Sequence, residues 1–365
     1  MADLPEYLSS GQSARLIPVV ADTSKESRAA SIFLATLTAV PAFAASMLST
    51  VGQRVGSRAS IECYTEVVFK GSSRDPRTRP DGLLVLGTGR KSWSALVEAK
   101  IGRTELDLEQ VQTYLQLAKT HRVDGVITLS NQFTAMPNHH PLRVSKSDQR
   151  GLELYHWSWM FMLTQATLLL NDTENVSREQ AFILSEMVRY FRHDSTGVSS
   201  FDRMNAEWPD LVSLIKSGAH PNKSSDVVQN TVASWHQETR DICLLLSRRL
   251  GHQVSLRLSR AHKNDPIQRV KDDCESLVGT QSLTATIDIP NAAAPIDIEA
   301  SLVRRTISCS IRLTAPQDKK SSKARINWLV RQLAKCSYPD VLLRANWPGR
   351  APPTQCTLAE VREEP

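Results

Sequence analysis

Two acidic residues and a lysine flank a short apolar hairpin in this chain. Asp81 follows Pro80, and Glu98 and Lys100 come seventeen and nineteen residues after Asp81. The apolar runs between them, 82–86 and 93–97, are separated by a turn that contains two glycines, which predicts two paired strands. The pairing would place Asp81 beside Glu98, with Lys100 on the same face as Glu98, because alternate residues of a strand share a face.

This arrangement favours a site for hydrolysis of phosphodiester bonds. Two neighbouring carboxylates repel each other unless a cation lies between them. Oxygen ligands suit a hard ion such as Mg²⁺, which usually keeps bound waters and takes one or two protein carboxylates. A lysine beside that ion can hold a phosphate or an attacking water.

The same residues carry a family resemblance. Pro80-Asp81 followed by Glu98-Ala99-Lys100 resembles the signature of the PD-(D/E)XK nuclease superfamily. Further along, apolar residues follow a helical spacing in 108–118, where Gln110 and Tyr114 stand four apart on one face. This pair resembles the QxxxY element of RecB-type and lambda-exonuclease-type members.

The predicted order of elements fits that resemblance. Residues 125–130 have the pattern of a buried strand, and a helix and a strand precede the hairpin. The order resembles the αβββαβ restriction-endonuclease-like core, a mixed sheet flanked by helices, over roughly residues 20–165.

The resemblance implies a metal-dependent deoxyribonuclease. Asp81, Glu98 and the backbone carbonyl of Ala99 would bind one Mg²⁺, for which Mn²⁺ can substitute. The resemblance assigns catalytic roles to Asp81, Glu98, Lys100, Gln110 and Tyr114.

An additional acidic ligand often comes from the first core helix in such proteins. Glu26 opens a helix-like segment and is the leading candidate, although an acid in a first helical turn is also favoured by the helix dipole. Glu62 and Glu66, on a segment that alternates as a strand does, are the alternatives.

Positive charge surrounds the predicted site. The chain has a net charge of +6, and residues 54–103 hold ten Lys or Arg against five Asp or Glu. A basic rim would attract a polyanion such as DNA. The predicted contacts to DNA are Arg74, Arg77, Arg79, Arg90 and Lys91.

Length predicts more than one domain, because single cores seldom exceed about 300 residues. We expect a nuclease-like domain at 1–170, a helical segment and linker at 171–225, and an α+β domain at 226–365 with a mostly antiparallel sheet. The last domain shows no catalytic constellation, which favours a role in recognition or in docking a protein partner.

The uncharged stretch 29–53 is broken by Pro41, which predicts two packed helices, 27–40 and 41–51, rather than a membrane anchor. Six scattered cysteines form no CxxC pair, which favours a reducing cytoplasm. His139 and His140 precede a proline in a loop-like segment and are expected at the surface.

Three hypotheses therefore compete. The leading one is a Mg²⁺-dependent DNase, with a role in phage defence or DNA repair suggested by the family. The second is a nuclease-fold subunit for DNA binding or assembly, whose cleavage is dormant until a partner docks. The third is an unrelated α/β binding module that matches the signature by chance.

Overall fold

The computed structural model describes residues 4–17, 25–70, 79–89, 91–172, 174–338, 340–346, 350 and 352–363. The chain divides into two compact units, Met1–Ser310 and Ile311–Pro365.

The described residues form twelve strands and eleven α-helices. The strands are β1 (Leu8–Ser13), β2 (Ala59–Phe69), β3 (Gly82–Thr88), β4 (Lys91–Ala99), β5 (Gly125–Ser130), β6 (Glu153–Ser158), β7 (Ser255–Leu256), β8 (Ser282–Asp288), β9 (Ile296–Ser301), β10 (Thr306–Ile311), β11 (Leu342–Ala345) and β12 (Thr354–Thr357). The helices are α1 (Lys25–Ala39), α2 (Pro41–Ser49), α3 (Leu108–His121), α4 (Trp159–Asn171), α5 (Arg178–Phe191), α6 (Trp208–Lys216), α7 (Asp226–Leu250), α8 (Arg260–Asn264), α9 (Pro266–Thr280), α10 (Ser322–Gln332) and α11 (Leu358–Glu363).

A mixed six-stranded sheet forms the centre of the first unit, in the order β1-β2-β3-β4-β5-β6. Strands β1 to β4 pair antiparallel, and β4, β5 and β6 pair parallel. Alternate residues face opposite layers: Leu84 and Val97 join the core with α1, α2, α4 and α5, whereas Leu83 and Leu96 join the core with α3. The expected α/β architecture, a mixed sheet flanked by helices, is confirmed.

The uncharged stretch folds as two helices that break at Pro41, as expected. Pro41 occupies the first turn of α2, where its missing N–H costs no hydrogen bond. Phe33 and Phe43 are fully buried and pack edge to face. Among the described residues no single helix is long and apolar enough to cross a membrane; α1 and α2 pass that test only together, with a bend of 108° between them.

Helix α7 joins two cores of the first unit. Its Val228 and Val232 pack with α6, α9 and the antiparallel strands β7 to β9, whereas Leu244 lies in the core beneath the first sheet. Arg248 Nη1 also donates to Thr164 Oγ1 of α4 at 2.7 Å. The division between compact units therefore falls after Ser310, not at the boundary expected near residue 226.

The stretch expected to link domains is also structured. Helix α6 lies within it and contributes Leu211 and Ile215, both buried, to the core around α7. Its two apolar positions four residues apart follow helical spacing, but Pro209 and the surrounding polar residues hide the short helix in the sequence.

The second unit has a small core of its own. Leu343, Leu358 and Val361 are buried there, and the apolar residues of α10 pack against them. The hairpin of β11 and β12 pairs antiparallel from Leu342↔Thr357 to Ala345↔Thr354.

Two histidines of the first unit form a buried hydrogen-bonded chain with Thr128 of β5. His140 Nε2 lies 3.0 Å from Thr128 Oγ1, which lies 2.9 Å from His156 Nδ1, and His156 Nε2 lies 2.8 Å from the Gln132 carbonyl. The Leu142 N–H donates to His140 Nδ1 at 3.1 Å, so one neutral tautomer of each ring satisfies every contact. The expectation that His139 and His140 are surface residues was wrong: His139 is 5% exposed, and its Nε2 lies 2.9 Å from the Lys263 carbonyl.

We expect this hydrogen-bonded chain of His140, Thr128 and His156 to make the stability of the fold sensitive to acid. Burial lowers the pKa of His156 to about 4 and that of His140 to about 3, from the ordinary value of 6.5. The folded state thus binds fewer protons than the unfolded chain. The stability from these groups is complete above pH 6.5 and is lost as the pH falls toward 4.

Urea unfolding at pH 7, 6 and 5 tests this expectation. Each histidine should steepen the loss of unfolding free energy by up to about 1.4 kcal/mol per pH unit. His156→Gln should therefore have a shallower pH dependence than the wild type, and the exposed His252→Gln serves as control. Equal slopes for the wild type and His156→Gln would contradict the assignment.

Candidate active site

Asp81 and the end of β4 meet because of the register between β3 and β4. Gly82 pairs with Val97, so the same register places Asp81, the residue before β3, opposite Glu98. Asp81 Oδ2 accepts a hydrogen bond from the Ala99 N–H at 2.8 Å. The hairpin thus places Asp81 beside the end of β4, where the sequence predicted it.

Gly82 allows this close approach. A Cβ at this position would collide with the Leu34 side chain of α1 and lie 3.0 Å from the Tyr64 carbonyl of β2. A residue with a side chain would push β3 away from one of these neighbours, and Asp81 would move with it.

Glu98 and Lys100 point to the same face of the sheet, as their spacing predicts. Lys100 Nζ lies 2.7 Å from Glu98 Oε1, and the Glu98 side chain is only 3% exposed. Glu98 pairs in register with Thr128 of β5, whose hydroxyl belongs to the histidine chain. Glu98 therefore lies beside a buried polar network on the α3 side of the sheet.

Charges in this cluster perturb one another strongly. Burial, and then the charge of Glu98, raise the pKa of Asp81 to about 8 despite the Ala99 N–H and Lys100. Burial also raises the pKa of Glu98, although Lys100 lowers it. Burial alone would lower the pKa of Lys100, but Glu98, Glu26 and Asp81 together raise it. Lys100 is therefore an ammonium at neutral pH. The three carboxyl groups of the cluster outnumber this one positive charge.

Helix α3 brings Gln110 and Tyr114 to the same place. Asp107 caps the helix by accepting from the Gln110 N–H at 2.8 Å. One turn later, Gln110 Nε2 donates to the Tyr114 hydroxyl at 2.9 Å, and that hydroxyl donates to the Arg79 carbonyl at 3.0 Å. The Tyr114 side chain is also close enough to Glu98 to lower the pKa of that carboxyl. Tyr114 has a buried ring, yet its polar end faces the acidic cluster.

Of the three candidates for an upstream acid, Glu26 is the one whose charge acts on the cluster. It lies in the first turn of α1, and the Ile101 N–H donates to its Oε1 at 3.4 Å. Its charge raises the pKa values of Asp81 and Glu98. Glu62 accepts from the Tyr64 hydroxyl at 2.6 Å instead. Glu66 accepts from Gln12 at 3.3 Å across β1 and β2.

Residues that the sequence analysis did not assign to the site hold Lys100 in place. The Lys100 N–H donates to the Leu129 carbonyl at 2.8 Å, and Trp159 Nε1 donates to the Lys100 carbonyl at 2.8 Å. Trp159 is completely buried and stacks on Phe191. The apolar pattern around Trp159 predicts a core residue, which is correct, but it carries no sign of the indole hydrogen bond.

The predicted basic residues are not all near the carboxylates. Arg79 precedes Pro80-Asp81 directly. Lys91 begins β4, seven residues before Glu98, which places it about 23 Å away along the strand. The hairpin turn lies at the opposite end from the site, so Lys91 is not part of its rim. Arg74, Arg77 and Arg90 lie outside the described residues.

A cleft of about 620 Å³ opens beside Asp81. Polar side chains from β1, β2 and α1 line it, including Ser27, Thr65 and Glu66, with Arg15 and Arg79 as its positive residues. Ser31 Oγ both accepts from the Arg15 N–H and donates to the Arg15 carbonyl, at 2.9 and 2.8 Å. The cleft provides space for part of a polar, anionic substrate next to Asp81.

The donor set suits a hard divalent cation. Asp81, Glu98 and Glu26 supply carboxylate oxygens, and the elevated pKa values of the first two show that their negative charge lacks sufficient compensation. In the part of the chain that the structure describes, no three His, Cys, Asp or Glu side chains converge as a formed metal site. Mg²⁺ commonly uses one or two carboxylates with waters, so the pair Asp81 and Glu98 is a sufficient protein ligand set.

Comparisons with known proteins give no family assignment: no protein-family model, no curated protein and no solved structure matches this chain.

Removal of one carboxylate should stabilise the metal-free protein. Because the pKa of Asp81 rises to about 8 on folding from 3.8, the folded state binds its proton more tightly. The stability that this proton supplies is full below pH 4 and is lost as the pH rises to 8. In EDTA at pH 8, Asp81→Asn should therefore unfold at a higher temperature than the wild type, by about 2–4 °C for each kcal/mol recovered.

Mg²⁺ should reverse the order of the unfolding temperatures of the wild type and Asp81→Asn. Added Mg²⁺ should raise the unfolding temperature of the wild type, because it binds only the folded state, and leave Asp81→Asn almost unchanged. Asp124→Asn, a carboxylate on the same sheet that accepts from the Ser94 N–H at 2.8 Å, is the control. An Mg²⁺ shift of equal size in the wild type and Asp81→Asn would rule out a metal site at Asp81.

Loss of the Tyr114 hydroxyl should affect the site more than the fold. Tyr114→Phe keeps the buried ring but leaves the Arg79 carbonyl without its donor, at a cost of about 1–3 kcal/mol. We expect weaker Mg²⁺ binding by calorimetry, because the segment before Asp81 loses a hydrogen bond and Glu98 loses a neighbour that stabilises its charged form. Tyr155→Phe, on β6, should bind Mg²⁺ as the wild type does, and equal binding by both variants would exclude Tyr114 from the site.

Proposed function

We propose that this chain is a Mg²⁺-dependent deoxyribonuclease of the PD-(D/E)XK superfamily, with a RecB-like or lambda-exonuclease-like core. The observation that carries the proposal is the contact of Asp81 with the end of β4, where Glu98 and Lys100 form a 2.7 Å ion pair. Gln110 and Tyr114 reach the same cluster from α3. The order of elements around these five residues, α1, α2, β2, β3, β4, α3 and β5, also supports it.

Asp81, Glu98 and the Ala99 carbonyl would hold the metal, with Glu26 as a further ligand or as a base for a bound water. The Ala99 N–H points to Asp81, and an extended residue directs its carbonyl to the same side. When bound, a divalent ion supplies positive charge to the scissile phosphate and lowers the pKa of an attacking water.

Lys100 would act as a fixed positive charge. Its elevated pKa keeps it protonated, so it is suited to hold a phosphate oxygen or to orient a water and not to remove a proton. Its backbone is fixed on both sides by Leu129 and Trp159, which limits its reach to the region in front of Glu98. A charge held in this way contributes most where negative charge develops in the transition state.

Gln110 and Tyr114 would position these groups. The tyrosine hydroxyl connects the Arg79 carbonyl, one turn of α3 and the Glu98 carboxylate, so a displacement of α3 would move both carboxylates. Positioning of this kind contributes through geometry and not through proton transfer.

The substrate that we propose is DNA, with a role in phage defence or DNA repair and a cytoplasmic location. The cleft at Asp81, with Arg15 and Arg79, accommodates a charged strand, and the six cysteines are free thiols, as a reducing compartment favours.

A dormant site is the second candidate. Glu98 is buried and already paired with Lys100, and Asp81 is already bonded to the Ala99 N–H. In that alternative a protein partner would open the site, and the purified chain would bind DNA without cutting it.

A cleavage assay on linear, circular and single-stranded DNA with Mg²⁺, Mn²⁺ or EDTA tests the proposal. Asp81→Asn should abolish cleavage, and Lys100→Ala should lower the single-turnover rate at least about 100-fold while changing DNA affinity less than about threefold. Lys91→Ala is the matched control, since it removes the same charge from the same strand at the distant end of the hairpin. It should cut as the wild type does.

Cleavage in excess EDTA, or equal losses for Lys91→Ala and Lys100→Ala, would contradict the mechanism. Mg²⁺-dependent stabilisation without cleavage of any DNA form would favour the dormant site.

A further inference from the structure

The second unit carries a large excess of positive charge for its length, as the segment 54–103 of the first unit does. Residues 311–365 contain ten Lys or Arg and five Asp or Glu, a net charge of +5 out of +6 for the whole chain. Residues 226–310, by contrast, contain ten of each and carry no net charge. The segment expected to act as one recognition domain therefore consists of a neutral part, packed within the first unit, and a separate basic part.

Internal partners account for only some of the cations in the second unit. Arg325 and Arg362 donate to backbone carbonyls, and Lys319 pairs with Asp318. Lys323, Arg331 and Lys335 are exposed, and none of the three pairs with a carboxylate among the described residues.

Helix α10 carries Lys323 and Arg331, and Lys335 follows three residues after its end, while the apolar side of the helix is occupied. Ile326, Leu329, Val330 and Leu333 pack against the core of Leu343, Leu358 and Val361. Ser321 caps the helix by accepting from the Ala324 N–H at 3.2 Å. Lys323 and Arg331 are eight residues apart, about 12 Å along a helix.

A polyanion of regular charge spacing fits this surface. A 12 Å length of duplex DNA presents about seven phosphate charges. Exposed lysines and arginines on a helix can follow such a backbone without reading its sequence.

We propose that the second unit binds the phosphate backbone of duplex DNA through Lys323, Arg331 and Lys335, and that residues 226–310 serve as a structural support of the first unit. The inference rests on the proposed function in taking DNA as the polyanion. It assigns substrate capture to a part of the chain separate from the carboxylate cluster. Binding would then be salt-dependent and independent of sequence.

Titration of a fluorescent 30-base-pair duplex at several salt concentrations tests the proposal on the full-length chain. EDTA is present, so that no cleavage is needed. For the triple variant Lys323→Ala, Arg331→Ala, Lys335→Ala, the slope of log affinity against log salt should become shallower by about 0.9 for each lost phosphate contact, about 2.7 in total. Alanine favours helix, and unfolding temperatures verify that α10 remains folded.

Two further variants make the result specific. Arg260→Ala, Lys271→Ala, Arg304→Ala removes the same charge from exposed positions of 226–310 and should keep the wild-type slope. Lys323→Arg, Arg331→Lys, Lys335→Arg keeps the charge of the second unit and should also keep it.

An unchanged slope in the first triple variant would overturn the inference, and would leave an acidic protein as the partner to test for this surface. An equal change in the 226–310 variant would also overturn it, since the binding charge would then be spread over the chain. A chain that never cuts DNA but shows the expected slopes would refute the proposed nuclease and leave the inference intact.

Discussion

The site depends on keeping two carboxylates close together inside the protein. Asp81 and Glu98 lie at the ends of two antiparallel strands whose pairing is fixed from Gly82↔Val97 to Thr88↔Lys91. Their mutual repulsion and burial oppose folding, and one ammonium and one backbone N–H offset part of that cost. This incompletely compensated charge pair lowers stability in the absence of a cation, and it is the feature on which the proposed metal site rests.

The surrounding layers maintain this arrangement from both faces of the sheet. On one face, α1 leaves space only for glycine at position 82, and Trp159 holds the Lys100 carbonyl. On the other face, Tyr114 connects α3 to the Arg79 carbonyl next to the Pro80-Asp81 pair. Each contact comes from a buried and closely packed residue, so small displacements of the carboxylates would disturb a core.

The stretch after residue 226 is divided between the two compact units, and it does not form one separate domain. Helix α7 contributes Leu244 to the core beneath the main sheet, and Gln237 accepts from the Phe133 N–H at 3.2 Å. The stretch after residue 226 is therefore part of the structure that supports the site. Residues 226–310 carry no net charge, and the excess positive charge of the C-terminal part of the chain lies after Ser310, in a unit with its own core.

The sequence alone determined the features that depend on local spacing. The hairpin, the helix break at Pro41, the common face of Glu98 and Lys100, and the Gln110–Tyr114 pair follow from strand and helix periodicity, which neighbouring residues impose. Strand β1 was missed because LSSGQS has no apolar alternation, and its strand conformation comes from pairing with β2.

Only the tertiary structure brought the charge of Glu26 to bear on Asp81 and paired Glu62 with Tyr64. It also placed Lys91 away from the site and put His140, partly buried, and His156, buried, beside Thr128. It also showed that residues 226–310 belong with the first unit. These outcomes depend on contacts between residues far apart in the chain, such as Glu26 with Ile101 and Arg248 with Thr164. Periodicity predicts which face of a strand or helix a residue occupies. The residue that it contacts on that face depends on how the helices pack against the sheet.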